Sequence, residues 1–378
     1  MKRWIWQQEN YPNFTYDSKK LENLIQKISL EQGYLLALTQ TMNKENIIQR
    51  QLDALMSEAM STSAIEGELL NRDSVKASIA KKFGFEEVDY KKLDESTDNL
   101  VEILIDANTN YKEDLTLERL FGWHNALFPK GYSGLHKINT ASFRDNDTMQ
   151  IVGGYAGNEE VYYEAPQRKN LDNEIKQFLS WFNTTEASLV KACISHLWFV
   201  VIHPFDDGNG RIARAITDLV LSKIEDSKLS RLYSMSSVIN DDRKGYYKAL
   251  ERTTGFIKKE DKHLDITVWC EWHLQTLYTA LIDTKKRLNF IIEKTKFWDN
   301  NKDKDLNARQ IKVLNFILDI GVDNFKGDLS KKKYMKIADT TSATASRDIS
   351  ELIKKGCIKQ VEGTAGRNVK YMIYRHRT

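Results

Sequence analysis

The sequence predicts a mainly α-helical protein, and three observations carry that expectation. Only 4 prolines and 18 glycines stand in 378 residues, too few for a β-sandwich, which needs turn signals every ~8–12 residues. Apolar residues recur at helical spacing along most of the chain. Strand-like stretches are short and come in two isolated pairs.

Taken in order, the helical spacing covers residues 18–41, 44–82, 93–110, 115–128, 170–183, 187–202, 211–223, 244–254 and 266–294. The interruption is Met149-Gln-Ile-Val-Gly-Gly-Tyr-Ala-Gly-Asn-Glu-Glu-Val-Tyr-Tyr163, two apolar stretches around a Gly- and Asn-rich middle, which reads as a hairpin. A lone hairpin in a helical domain calls for a functional reason, although a structural hairpin is the plainer alternative. The segment Trp298-Asp-Asn-Asn-Lys-Asp-Lys-Asp-Leu306 is polar, lacks periodicity and reads as a linker. Beyond it, residues 308–318 and 343–354 read as helices. Lys355-Gly356 ends the second, and 357–361 can pair with 369–374 across Gly363-Thr-Ala-Gly366. Helices followed by a two-stranded wing describe a winged helix-turn-helix over 308–378.

Composition narrows the class. Hydrophobic residues at 41%, charged residues at 29% and a mean hydropathy of −0.53 exclude a membrane-spanning or largely disordered chain. The longest purely apolar run, Leu197 to Ile202, falls far short of the ~18 residues of a spanning helix. No apolar signal core opens the sequence, so a cytoplasmic location and no membrane partner are expected. Cys193, Cys270 and Cys357 are far apart and odd in number, so neither a disulfide framework nor a zinc site is indicated. Residues 301–378 hold 17 Lys and Arg against 9 Asp and Glu, a balance of +8, whereas the rest holds 39 against 44, or −5. A basic terminal module suits an anionic or acidic partner; a merely solvated basic surface is the alternative.

The chemistry is concentrated in His203-Pro-Phe-Asp-Asp207-Gly-Asn-Gly-Arg211-Ile-Ala-Arg214. Gly208-Asn209-Gly210 allows successive N–H groups to point one way just where a helix begins, a combination that binds phosphate. Arg211 and Arg214, three apart, share a helical face and repel unless an anion joins them. Asp207 is a hard oxygen ligand suited to a Mg²⁺ that bridges phosphates. His203, titrating near neutrality, can accept a proton from a hydroxyl. Singly, each has a plain structural reading: a core histidine, a helix cap, a turn, a solvated face. Within twelve residues they describe nucleotidyl or phosphoryl transfer. No GxxxxGK[ST] or GxGxxG occurs.

The stretch HPFDDGNGRIAR resembles the active-site motif of the Fic family, HPFx[D/E]GNGRxxR, at every specified position. The resemblance implies a Fic helical bundle with a hairpin flap. It also implies a protein adenylyltransferase that moves AMP from ATP, with Mg²⁺, to a Ser, Thr or Tyr hydroxyl of a target protein or of itself. His203 would be the general base, Asp207 the metal ligand, and Gly208, Asn209, Gly210, Arg211, Ile212, Ala213 and Arg214 the nucleotide site. The hairpin Met149 to Tyr163 would be the flap on which the target docks by strand addition.

Upstream, Thr62-Ser-Ala-Ile-Glu66-Gly67 reads by itself as an ordinary acidic helix segment, yet it is similar to the inhibitory [S/T]xxxE[G/N] motif of the same family. The resemblance implies that Glu66, with Thr62, pairs with Arg214 and blocks the γ-phosphate. Tyr246-Tyr247-Lys-Ala-Leu250 resembles a stretch whose first tyrosine lies near the nucleoside, with core packing as the alternative for Tyr246. The expected divisions are 1–83 as a helical module containing the inhibitory helix, 84–298 as the catalytic core, and 308–378 as the winged helix. In the last, Thr341, Ser342, Thr344, Ser346, Arg347, Lys354 and the run Lys331-Lys332-Lys333 suit DNA or a docking protein. A second copy in a homodimer is a further candidate partner. Two other readings stay open: removal of AMP at the same site, and a nucleotide-sensing DNA-binding regulator. The other histidines and the tryptophans read as structural or surface residues.

Overall fold

The computed structural model describes residues 4–84, 93–155, 158–225, 232–255, 264–322 and 325–374. Among them are fourteen α-helices and three two-stranded antiparallel sheets. The protein is mainly α, and none of the described helices is long and apolar enough to cross a membrane. The chain divides into two compact units, Met1–Asp283 and Thr284–Thr378.

The first unit opens with Trp4, buried against Tyr163, then α1 (Ser18–Gln40), α2 (Lys44–Ile65) and α3 (Arg72–Lys82). Side chains cap each start: Asp17 accepts from the Lys19 and Lys20 amides, Asn43 from Asn46, and Asn71 from Asp73 and Ser74. The sequence predicts one helix over 44–82, but the chain breaks after Ile65. Gly67 takes φ +86°, and the Glu68 and Gly67 amides donate to Ser63 and Ala64 carbonyls, each at 3.0 Å. This is a Schellman stop, which needs a left-handed residue at Gly67.

Next come α4 (Glu95–Thr109), α5 (Leu117–Leu127), a two-residue ladder β1 (Tyr132–Ser133) with β2 (His136–Lys137), and the hairpin β3 (Gln150–Tyr155) with β4 (Asn158–Glu164). The hairpin is the one expected at 149–163; Ile151 pairs with Tyr163 and Tyr155 with Asn158. Residues 156–157 between its strands lie outside the described set. Helices α6 (Leu171–Thr184), α7 (Leu189–Ile202), α8 (Asn209–Glu225), α9 (Met235–Asp241), α10 (Arg243–Thr254) and α11 (Thr267–Asp299) follow. The short α9 carries too little periodicity to be read from sequence. Helix α7 is apolar nearly all round and buried along its length, as a central core helix must be. It packs against α8, which α4 also contacts.

The second unit adds α12 (Ala308–Ile320), α13 (Lys331–Ala338), α14 (Ser342–Lys354) and the pair β5 (Ile358–Gln360) with β6 (Tyr371–Ile373). The lysine run that reads as a charged stretch opens α13. Its core holds Val313, Leu314, Ile317, Tyr334, Ile349 and Leu352. The stretch expected as a linker is instead built into this unit. Helix α11 continues to Asp299, Phe297 joins the core, and Asn301 is buried, donating to the Phe297 carbonyl at 2.5 Å. Its polar residues bond a turn and do not form a solvated spacer. Truncating Leu314 to Ala should cost the second unit about 2–5 kcal/mol. Hydrogen exchange over 308–374 would accelerate while protection of α7 and α8 stays unchanged, if the two units unfold separately.

Candidate active site

The motif occupies the turn from α7 into α8. His203 ends α7 in the left-handed region, φ 49° and ψ 59°, costly for a residue with a Cβ. Arg144, itself fully buried, holds it there. Its Nε donates to the His203 carbonyl at 2.9 Å, its amide to the Pro204 carbonyl at 3.0 Å, and its other nitrogens to the carbonyls of Asn146 and Pro166. Phe205 stacks flat on His124, ring centroids 4.1 Å apart. The Asn209 side chain clasps the Phe205 backbone from both sides, accepting from its N–H at 3.0 Å and donating to its carbonyl at 2.8 Å. The loop is thus fixed before any ligand arrives.

Gly208 has φ +81°, and a Cβ there would press on the Phe128 and Leu127 side chains, so the position requires glycine. Helix α8 then opens with the N–H groups of Asn209, Gly210 and Arg211, which have no intrahelical acceptor. Beside this positive end, His203 Nδ1 lies 3.2 Å from the Val200 carbonyl. With Nδ1–H donating, Nε2 is left as the acceptor. Burial draws the His203 pKa down to about 4, so the ring is neutral at pH 7. Asp207 accepts from the Gly208 amide at 2.6 Å and from the Ser133 hydroxyl.

Arg211 and Arg214 are both buried, and each has a carboxylate. Arg214 Nη2 meets Glu66 Oε1 at 2.7 Å and the Thr62 carbonyl at 3.0 Å, and Nε donates to Thr62 Oγ1 at 2.7 Å. Burial pulls the Arg214 pKa down, and the Glu66 charge outweighs it, leaving the group above its usual value. Arg211 Nη1 meets Glu68 Oε2 at 2.6 Å, and its guanidinium lies 5.0 Å above the Phe128 ring. A Cβ on Gly210 would collide with the Glu66 carboxylate, which therefore lies directly against the first turn of α8.

The structure gathers His203, Asp207, the glycines, Asn209, both arginines, Thr62 and Glu66 in one place. Ile212 and Ala213 are fully buried on the core side of α8, so they have only backbone to offer a ligand. Tyr246 is a core residue: it is 2% exposed and bonded through its hydroxyl to His196 Nε2 at 3.0 Å, and burial pushes its pKa above the usual tyrosine value. His196 in turn bonds Thr217 at 2.9 Å, so a polar ladder stands behind the arginine helix. Tyr247, not Tyr246, is the more exposed ring, with its hydroxyl donating to the Ile65 carbonyl at 3.3 Å. Arg144, Glu68, Ser133 and Phe128 were not legible as site residues, since each meets the motif only through tertiary packing. The hairpin is anchored beside the motif: Tyr163 donates to the Val201 carbonyl and Trp6 to the Glu164 carbonyl, both at 2.6 Å.

Known proteins resemble this chain in family model, sequence and fold. The model of the Fic/DOC family matches residues 114–221, and a domain of unknown function (DUF4172) matches residues 4–85. The chain is 25% identical over 214 residues to the protein adenylyltransferase Fic of Drosophila melanogaster, covering 52% of this chain and 39% of that protein. It is 22% identical over 288 residues to the protein of the same name from Drosophila yakuba, covering 72% of this chain and 52% of that one. The chain thus spans about two fifths to one half of these relatives. A crystal structure of a Fic family protein from Desulfovibrio desulfuricans shares the fold over 97% of this chain and 99% of that one, with a TM-score of 0.53 and 20% identity. Residues 114–221, which hold the motif, match the Fic/DOC family model, and the chain has the fold of a solved Fic family protein.

Proposed function

We propose that the protein is a protein adenylyltransferase held in an inhibited state by its own helix α2. The observation that carries this reading is the Glu66 carboxylate on Arg214, 2.7 Å away and laid against the first turn of α8. A carboxylate there takes the place that a phosphate would take at a helix N-terminus.

In the active state, a Ser, Thr or Tyr hydroxyl of the target loses its proton to Nε2 of the neutral His203. The oxygen attacks the α-phosphorus of ATP, the new O–P bond forms, and the bond to the β-phosphate oxygen breaks to release pyrophosphate. Negative charge grows on the phosphate oxygens, so the α8 amides and two arginines contribute through preorganised electrostatics, and the fixed loop contributes through positioning. Among the described residues no three His, Cys, Asp or Glu side chains converge on one point. Asp207 would thus hold Mg²⁺ as a single protein ligand, a fit for an ion that usually takes one or two carboxylates and completes its shell with phosphates and water. When bound, the ion would neutralise phosphate charge. The hairpin β3–β4 would present the target segment by strand addition.

The second unit we read as a winged helix. Lys331, Lys332 and Lys336 on α13 and Ser346, Arg347 and Lys354 on α14 are exposed, a pattern suited to phosphate contacts on DNA.

The test is transfer of label from α-labelled ATP, with Mg²⁺, to the protein itself or to an added lysate. Glu66→Gly should raise labelling about 10- to 100-fold, as expected from losing a charged pair of about 1.5–3 kcal/mol. His203→Ala, in that background, should lower labelling by about 10²-fold or more. Equal labelling by all variants would remove both residues from the reaction. The pH dependence carries a sign. The base must be neutral, and desolvation lowers the pKa, to about 4. In Glu66→Gly, kcat/KM should therefore stay level from pH 8 to pH 6 and fall only near pH 4, while circular dichroism reports the fold. An acid limb near 6.5 would contradict the desolvated ring.

A further inference from the structure

We infer that Glu68 is a second inhibitory carboxylate, acting on Arg211 as Glu66 acts on Arg214, so that ATP must displace two glutamates and not one. This rests on the nucleotide reading above and extends it to a residue outside the inhibitory motif. The Glu68–Arg211 contact is a 2.6 Å ion pair, and Arg211 has no other acceptor for that end of its guanidinium among the described hydrogen bonds. The Arg211 side chain is 6% exposed, and its Nε is buried with no partner. An anion reaching this guanidinium thus finds one donor already unsatisfied and another held by a carboxylate.

The backbone explains why both glutamates face the motif. Glu66 is the last residue to close α2, Gly67 turns left-handed, and the Glu68 amide donates back to Ser63. This single stop places one carboxylate on each side of the glycine and directs the pair to arginines three residues apart on α8. The two contacts are unequal. The Glu66 side chain is 27% exposed and that of Glu68 45% exposed. A pair with a half-exposed carboxylate is the weaker one. A cavity of about 410 Å³ beside it, lined by Leu69, Asn71, Ser96, Tyr132 and Arg211 itself, gives Glu68 room to swing away. Glu68 is therefore the partner that yields first, and Glu66 the deeper lock.

The distinguishing ligand is AMP, which lacks the phosphates that two displaced arginines would grip. ATP and AMP affinities of full-length wild type, Glu66→Gly, Glu68→Gln, Glu68→Ala and Glu66→Gly/Glu68→Gln are measured by calorimetry. Glu68→Gln should tighten ATP about 5-fold, the equivalent of about 1 kcal/mol for a partly exposed pair. The same change should appear again in the Glu66→Gly background and leave AMP unchanged. ATP affinity of both Glu68 variants equal to wild type, with Glu66→Gly tighter, would overturn the role of Glu68 and leave the nucleotide reading standing. Equal tightening of AMP would also overturn it, because general electrostatics and not the Arg211 grip would be responsible. No ATP binding by any variant would overturn both.

Discussion

Everything at the site follows from two guanidinium groups buried three residues apart at the start of one helix. Arg211 and Arg214 are 6% and 2% exposed, and neither can stay buried without negative charge beside it. In this state the charge is supplied from within the chain by the end of α2. The left-handed glycine after α2, the missing side chain at Gly210 and the docking of α2 against this part of the molecule can all be read as consequences of that requirement. Helix α2 is also tied to the N-terminus of α9, where buried Glu58 accepts from the hydroxyls of Ser234 and Ser236 and from the Ser236 amide. The glutamates therefore hang from a well-anchored helix and do not sit on a loose arm.

The second constraint is the geometry of the turn that carries His203. A histidine held at positive φ at the end of a helix keeps that conformation only if its surroundings over-determine it. Arg144 does so through carbonyls on three separate stretches, His203, Asn146 and Pro166, and Asn209 closes the other half of the loop. Because Pro166 lies two residues past the end of β4, Arg144 also couples the base of the hairpin to the carbonyl of the proposed base. The proposed substrate presentation and proton abstraction would thereby be referred to one rigid frame, which is what positioning a hydroxyl for in-line attack needs.

Sequence reading recovered what is written locally. The helices at 18–40, 95–109 and 189–202, the hairpin and the motif spacing are all patterns within one segment. The end of α2 was half legible: Thr62 and Glu66 matched a pattern, but the periodicity of 44–82 ran straight through Gly67, because a single glycine interrupts a helix only when the stop is supported by its capping bonds. Tyr246, read as either near the nucleoside or packed in the core, was ambiguous for the opposite reason. An aromatic ring beside a motif reads the same whether it faces a ligand or the Trp269 and Trp272 cluster that receives it here. Arg144, Glu68 and Ser133 stand 59, 143 and 74 residues from their partners in the chain, and no local signal marks such pairings. The polar run at 298–306 shows a similar limit, since caps and solvated spacers use the same residues.

The proposed manner of inhibition bears on how it would be relieved. Glu66 closes α2 and Glu68 lies just beyond it, so under the proposed inhibition two side-chain rotations about the Gly67 turn would free both arginines without removing a packed helix. Thr62 would stay behind, still donated to by Arg214 Nε, and would keep the guanidinium aimed while a phosphate takes the place of the carboxylate. Under that proposal linkage would make the two states reciprocal: whatever favours the rotated glutamates would tighten nucleotide binding by the same factor, and bound nucleotide would favour the rotated glutamates. A brake made in this way from the terminal turn of an anchored helix would be released by a small differential interaction at its end, because the cost of opening would be limited to two ion pairs whose arginines would regain an anionic partner in the substrate.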